Sequence, residues 1–190
     1  MSLKMVAARV RLSPSKNLDV AMSGGPGWVR PWGTNLQSHE VHHMPSTIRL
    51  HRVLTTRPEK VYRAFLEADA LAKWLPPNGF TCTVHHHEPK VGGTFKMSFR
   101  NFTTGNGHSF GGKYVELAPG ERLRYTNVFD DPNLAGEMQV TVTFRKVLVG
   151  TEVNIEQAGV PDAIPAEACY LGWQESLRNL AKLVEPEINQ

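Results

Sequence analysis

Three consecutive histidines, His85, His86 and His87, are the side chains of this sequence best suited to acid–base or metal chemistry. Imidazole titrates near neutral pH and is a common metal ligand. The alternating pattern around them predicts a strand, in which His85 and His87 share one face and His86 lies on the other. Protein zinc sites normally use three or four ligands, and no third ligand is evident. We therefore predict no metal, and treat His85 and His87 as candidate polar groups of a site.

Two further clusters could carry chemistry, but their sequence context favours turns. The glycines of 105–112 resemble a phosphate cradle, yet they lie between two predicted strands rather than before a helix. Asp130 and Asp131 could form a carboxylate pair, yet Pro132 follows them in a segment typical of a solvated loop. The sequence has no Gly-x-Ser-x-Gly or His-Glu-x-x-His motif and no nucleophile with an evident partner. We predict no cofactor and identify no catalytic set.

The positive charge of the chain is confined to its N-terminal segment. The 190 residues have a formal net charge of +3, and residues 1–44 contain five basic and two acidic side chains. The remaining residues contain 16 of each sign and are therefore neutral overall. Nucleic-acid binding relies on several clustered Lys and Arg residues. The body of the chain is accordingly not expected to bind nucleic acid.

Glycines and prolines interrupt residues 1–44, which show no sustained helical or strand period. We predict a poorly structured leader or extension in 1–44, and one domain in 45–190. The two cysteines, Cys82 and Cys169, form no metal-binding or scaffold pattern. No apolar run is long enough for a membrane span. We therefore expect a cytoplasmic protein that does not bind membranes, either a monomer or a homodimer.

The period of the apolar residues predicts the order of the elements. Residues 46–55 alternate as a strand, and Thr56-Arg57-Pro58-Glu59 resembles a capping box at a helix start. Two short helices follow, and the second ends at Pro76. Six further alternating segments occupy 79–157 with turn residues between them. Short loops between consecutive strands predict an antiparallel meander with one apolar face.

A long helix from about Pro165 to Glu185 ends the chain. Trp173, Leu177, Leu180 and Val184 form an apolar stripe on this helix. The apolar face of the sheet is the obvious place to bury this stripe. The sequence thus predicts an α+β fold in which seven antiparallel strands wrap around a C-terminal helix.

Four segments carry a resemblance to a known family. They are residues 61–76, 88–95, 112–119 and 172–180, which include Val61-Tyr62-Arg63-Ala64-Phe65, Glu88-Pro89-Lys90-Val91-Gly92-Gly93-Thr94-Phe95, Gly112-x-Tyr114-x-Glu116-Leu117 and Gly172-Trp173-x3-Leu177-x2-Leu180. Together they resemble the helix-grip START-like (SRPBCC) superfamily. Within it the chain is similar to the branch named after the C-terminal domain of the activator of the 90-kDa heat-shock-protein ATPase.

The resemblance implies an apolar cavity between the sheet and the terminal helix. Aromatic and methionine side chains could line such a cavity or form a packed core. The candidate lining residues are Trp74, Phe95, Met97, Phe99, Phe110, Tyr114, Tyr125, Phe129, Phe144, Trp173 and Leu177, with His85 and His87 as polar groups.

Three functions remain open from the sequence. The first is the binding of a hydrophobic or aromatic small molecule in the cavity. The second is a cyclase or hydrolase activity that uses Tyr114, His85 or His87 as acid or base. The third is a co-chaperone role on a heat-shock ATPase, which the neutral body and the lack of a second domain disfavour.

Overall fold

The computed structural model describes residues 46–188, in which seven strands and three α-helices follow one another. The leader predicted for 1–44 lies outside the described residues. The elements are β1 (Ser46–Leu54), α1 (Pro58–Ala64), α2 (Ala68–Trp74), β2 (Phe80–His87), β3 (Thr94–Asn101), β4 (Gly107–Ala118), β5 (Arg122–Phe129), a 3-10 turn (Pro132–Leu134), β6 (Met138–Val147), β7 (Gly150–Val160) and α3 (Ala166–Val184).

The seven strands form one antiparallel sheet in the order β1-β7-β6-β5-β4-β3-β2. Strands β2 to β7 are a meander, because each pairs with its neighbour in sequence, and β1 joins the far side of β7. This confirms the predicted α+β helix-grip architecture. Each strand buries alternate side chains on the inner face of the curved sheet, as Met138, Val140, Val142 and Phe144 do on β6.

The C-terminal helix buries its stripe over only part of its length. Leu177, Leu180, Ala181 and Val184 are buried, whereas Trp173 is half-buried. No residue of 166–175 is fully buried. The second half of α3 therefore packs tightly, and the first half packs more loosely. None of the helices in the described part of the chain is long and apolar enough to cross a membrane.

The capping box predicted at the start of α1 is wrong. The helix begins at Pro58, Arg57 occupies the N-cap position, and no side chain caps the helix. Proline suits the first helical position because it has no N–H to leave unsatisfied and its φ is already helical. The end of α2 is as expected. The helix ends at Trp74, and Leu75 is followed by Pro76 and Pro77.

Candidate functional site

The inner face of the sheet brings a group of the predicted aromatic residues into contact. Phe95 on β3 lies with its ring centre 5.6 Å from that of Tyr114 and 5.7 Å from that of Tyr125. Tyr114 is 3% exposed, whereas Tyr125, on the middle strand β5, is half-buried. Burial raises the pKa of both tyrosine hydroxyls, so they remain protonated hydrogen-bonding groups at neutral pH. We call Phe95, Tyr114 and Tyr125 the tyrosine cluster.

His87 joins the tyrosine cluster. Its Nε2 lies 2.8 Å from the Tyr114 hydroxyl, and the two rings meet edge to face at 5.9 Å. Burial is the main cause that lowers the pKa of His87, and the nearby His86 lowers it further. The imidazole is therefore neutral at physiological pH. A neutral imidazole that is hydrogen-bonded to a phenol can take part in proton transfer.

The prediction that His85 and His87 share a face is wrong. Val84 pairs with Met97 and His86 with Lys96, so a β-bulge at His85 adds one residue to β2. The extra residue shifts the alternation by one, which turns His87 inward. His85 is exposed and lies 2.8 Å from the Ser98 hydroxyl on the outer face. His85 is therefore not a polar group of the interior.

A second aromatic group lies at the β3–β4 hairpin end of the same face. Phe99 and Phe110 meet at 4.9 Å, and His108 lies between Phe99 and Phe129, 5.7 Å from each. Burial lowers the pKa of His108. Met97 is 2% exposed and pairs with Phe110 across the strands. These residues are mostly hydrophobic, and three of them, Phe99, His108 and Phe129, remain half-buried.

Trp74 and Phe144 are buried and pack against a common neighbour in the core. Trp74 is 0% exposed and donates its indole N–H to the Ala64 carbonyl at 2.8 Å. Both rings pack against Phe65, at 4.7 Å for Trp74 and 5.5 Å for Phe144. Leu177 is likewise buried, on the tightly packed half of α3. Trp74 and Phe144 belong to the same hydrophobic core as the tyrosine cluster, and their role as lining residues stays a prediction.

A hydrogen-bonded group that the sequence reasoning missed connects α3 with β7. Gln157 is 6% exposed, and its Oε1 accepts from the Trp173 indole N–H and, at 3.7 Å, from the Cys169 thiol. Its Nε2 lies 2.9 Å from the sulfur of Met138. Gln157 thus ties the loosely packed half of α3 to the sheet.

Asn127 is the second residue that sequence reasoning missed. It lies on β5, opposite the buried Met138, and its Oδ1 is buried without a hydrogen-bond partner. A buried polar atom without a partner costs about 1–3 kcal/mol. A signal for both residues existed, since Asn127 follows Leu123 and Tyr125 in the apolar phase of its strand, as Gln157 does on β7.

The candidate site has no feature of a metal centre. Among residues 46–188, no three His, Cys, Asp or Glu side chains are grouped closely enough to hold a metal ion. Cys82 and Cys169 are free, and burial raises the pKa of each thiol to about 11. Such thiols are poor nucleophiles because little thiolate forms at neutral pH.

A seven-stranded antiparallel sheet curved around a C-terminal helix, with an aromatic inner face, defines a START-like helix-grip domain. The family model described as Activator of Hsp90 ATPase homolog 1-like protein matches residues 55–185. The chain belongs to this family. No curated protein matches the chain.

Solved structures agree with this assignment. The chain is similar to protein CV1439 from Chromobacterium violaceum, with 59% identity, a TM-score of 0.74, and coverage of 74% of this chain and 98% of that one. A protein of Rhodobacter sphaeroides has 24% identity, a TM-score of 0.65 and coverage of 73% and 91%. The AHSA1 protein from Silicibacter pomeroyi has 20% identity, a TM-score of 0.64 and coverage of 73% and 96%. The latter two support the fold alone.

Proposed function

We propose that this protein binds a hydrophobic or aromatic small molecule between the inner face of the sheet and the first half of α3. The observation that carries the proposal is the position of Tyr125. Its ring faces inward from the middle strand of a seven-stranded sheet, yet the residue is only half-buried. In a fully packed core such a residue would be buried. Its exposure supports an interior that outside molecules can reach.

The helix above this region also supports the proposal. Residues 166–175 contain no fully buried side chain, although Trp173, Cys169 and Ala166 contact the core. Strands β2 and β3 carry half-buried inward residues, Cys82 and Phe99. Binding sites for small molecules are concave and mostly apolar, with a few polar groups that fix orientation. The tyrosine cluster, Trp173 and Met97 provide such a lining.

The two free cysteines bear on where the protein works. Disulfides are rare in reducing compartments, where thiols persist. Cys82 and Cys169 are both free thiols, which supports the cytoplasmic location expected from the sequence.

The experiment uses an uncharged hydrophobic fluorophore, 1-anilinonaphthalene, with native mass spectrometry of the purified protein. We expect saturable binding to the folded protein. Cys169→Phe adds a ring on the inner side of α3 and should weaken binding by on the order of ten-fold. Leu171→Phe is the matched control, because Leu171 is 54% exposed on the same helix. Equal affinities of the two variants, with both folded, would contradict the proposed position of the site.

A second function, a small-molecule enzyme, is favoured by one contact. His87 and Tyr114 form a half-buried pair that can exchange a proton at the edge of the same interior. His87→Gln and Tyr114→Phe should abolish turnover of any substrate found while leaving fluorophore binding within about three-fold of the wild-type value. His85→Gln is the control, because His85 faces outward. Turnover that survives His87→Gln would exclude the pair as acid and base.

A further inference from the structure

Asn127 is a polar residue in an apolar setting. It occupies the inner face of β5, between Tyr125 and Phe129 on the same strand. Across from it on β6 lies Met138, which is 1% exposed. None of these neighbours is an acidic or basic residue. The side chains of Met138 and Phe129 have no N–H or O–H that could donate to Asn127 Oδ1.

The carbonyl oxygen of Asn127 lacks a hydrogen-bond partner. Within residues 46–188, three side-chain atoms are buried without one: Arg52 Nε, Arg124 Nε and Asn127 Oδ1. Arg52 is on the edge strand β1, and Arg124 lies 3.6 Å from Glu116. Asn127 is therefore the only one of the three that is on the inner face of the middle strand.

Five other polar groups of the interior are hydrogen-bonded within the protein. Gln157 Oε1 accepts from Trp173 and Cys169. His87 and Tyr114 bond to each other. A molecule in this interior would thus find in the Oδ1 of Asn127 a buried acceptor that no protein group occupies.

From β2 to β7 this interior offers no formal charge to a bound molecule, and Arg52, which is in the inward phase of its strand, lies on the edge strand β1. The inner-face positions of β2 to β5, and the buried ones of β6 and β7, contain no Asp, Glu, Lys or Arg. The two inward histidines, His87 and His108, have lowered pKa values because they are buried. Burying an unpaired charge is far more costly than burying a hydrogen-bonded polar group.

We propose that Asn127 is the specificity-determining residue of the interior, and that its ligand is an uncharged molecule with an apolar body and one hydroxyl or N–H group that donates to Asn127 Oδ1. The proposal rests on the proposed function of small-molecule binding and names the class of molecule bound. Because Asn127 Oδ1 is the acceptor, the hydrogen-bond donor must be a group of the ligand.

Three probes of nearly equal size test this inference: 2-naphthol, 2-methoxynaphthalene and 2-naphthoate. The first carries a donor, the second has only an acceptor, and the third is an anion at neutral pH. Titration of the full-length wild-type protein should give an affinity for 2-naphthol on the order of ten-fold above that for 2-methoxynaphthalene. The anion should bind more weakly than either neutral probe.

The substitution Asn127→Leu should remove the preference for 2-naphthol while binding of 2-methoxynaphthalene persists. Asn154→Leu is the matched control, because Asn154 is exposed on β7 and does not face the interior. Urea unfolding of each variant verifies that it is folded. The probe comparison on the wild-type protein needs no variant.

The outcomes separate this inference from the proposed function. If the wild-type protein binds all three probes equally, or if Asn127→Leu keeps the preference for 2-naphthol, the assignment of Asn127 is overturned while small-molecule binding stands. If the folded wild-type protein binds none of the probes and not the anilinonaphthalene fluorophore, both proposals fail.

Discussion

The hydrogen bonds of Gln157 allow a double-mutant cycle that measures how α3 is tied to the sheet. Gln157 is 6% exposed and accepts from Trp173 and Cys169. Trp173→Phe removes the indole donor but keeps an aromatic ring, and leaves the amide oxygen with only a weak thiol donor. A buried acceptor that loses its donor costs about 1–3 kcal/mol. The remaining thiol contact places the expected loss from this interaction in the lower half of that range.

The second arm of the cycle removes the acceptor. Gln157→Leu leaves the Trp173 indole N–H without a partner, and the double variant has neither group. We expect the double variant to lose less free energy of unfolding than the two single variants combined, by about 1 kcal/mol or more. The smaller ring of phenylalanine loses packing both with and without Gln157, so that loss cancels in the cycle.

The assay is urea unfolding followed by circular dichroism, with a common slope fitted to all four proteins. Tyr170→Phe combined with Gln157→Leu is the control, because Tyr170 is 42% exposed on the same helix. That pair should be additive within about 0.3–0.5 kcal/mol. A Trp173–Gln157 coupling within the same margin would refute the role of this hydrogen bond in holding α3.

Three further predictions concern single side chains. Gly112→Ala should prevent folding because its Cβ would lie 1.8 Å from a carbonyl oxygen of the next strand, whereas Gly172→Ala, with nothing within 4 Å, should stabilise α3 by roughly 0.5–1 kcal/mol; soluble yield and urea midpoints measure both effects. Lowering the pH from about 7.5 to about 5.5 should destabilise the wild-type protein more than the His87→Gln variant. The pKa of His87 is below 6.5 in the folded state, so at the lower pH the unfolded chain binds more protons than the folded one. Identical pH dependence of the urea midpoints of the two proteins would contradict this. Cys82 and Cys169, with pKa values of about 11, should react with an aromatic disulfide reagent much faster in urea than in the folded state, and equal rates would show that the thiols are open.

Much of the fold could be predicted from the sequence because most strands are half-buried. Period-two alternation marks β5 at Arg122–Phe129 and places β6 within one residue of its observed bounds. The spacing of Leu177, Leu180 and Val184 likewise identifies the buried side of α3. The cap of α1 escaped prediction because a proline at its first position made the side-chain cap unnecessary.

The site was less predictable, because it depends on register and on which inward residues remain accessible. The bulge at His85 has no distinct signal in a run of three identical residues, yet it decides which histidine faces inward. Asn127 and Gln157 occupy apolar positions of their strands, but a polar residue there becomes informative only when its partners are known.

The bulge at His85 also affects how the protein behaves at the rim of its sheet. Within residues 46–188, strand β2 is an outermost strand of the sheet, so one row of its backbone N–H and C=O groups has no neighbouring strand there. A flat row of that kind is a template on which a strand of another molecule can pair and start aggregation. The additional residue breaks the regular spacing of the row and twists the strand locally. One inserted histidine thereby disfavours edge-to-edge association while it turns His87 into the interior.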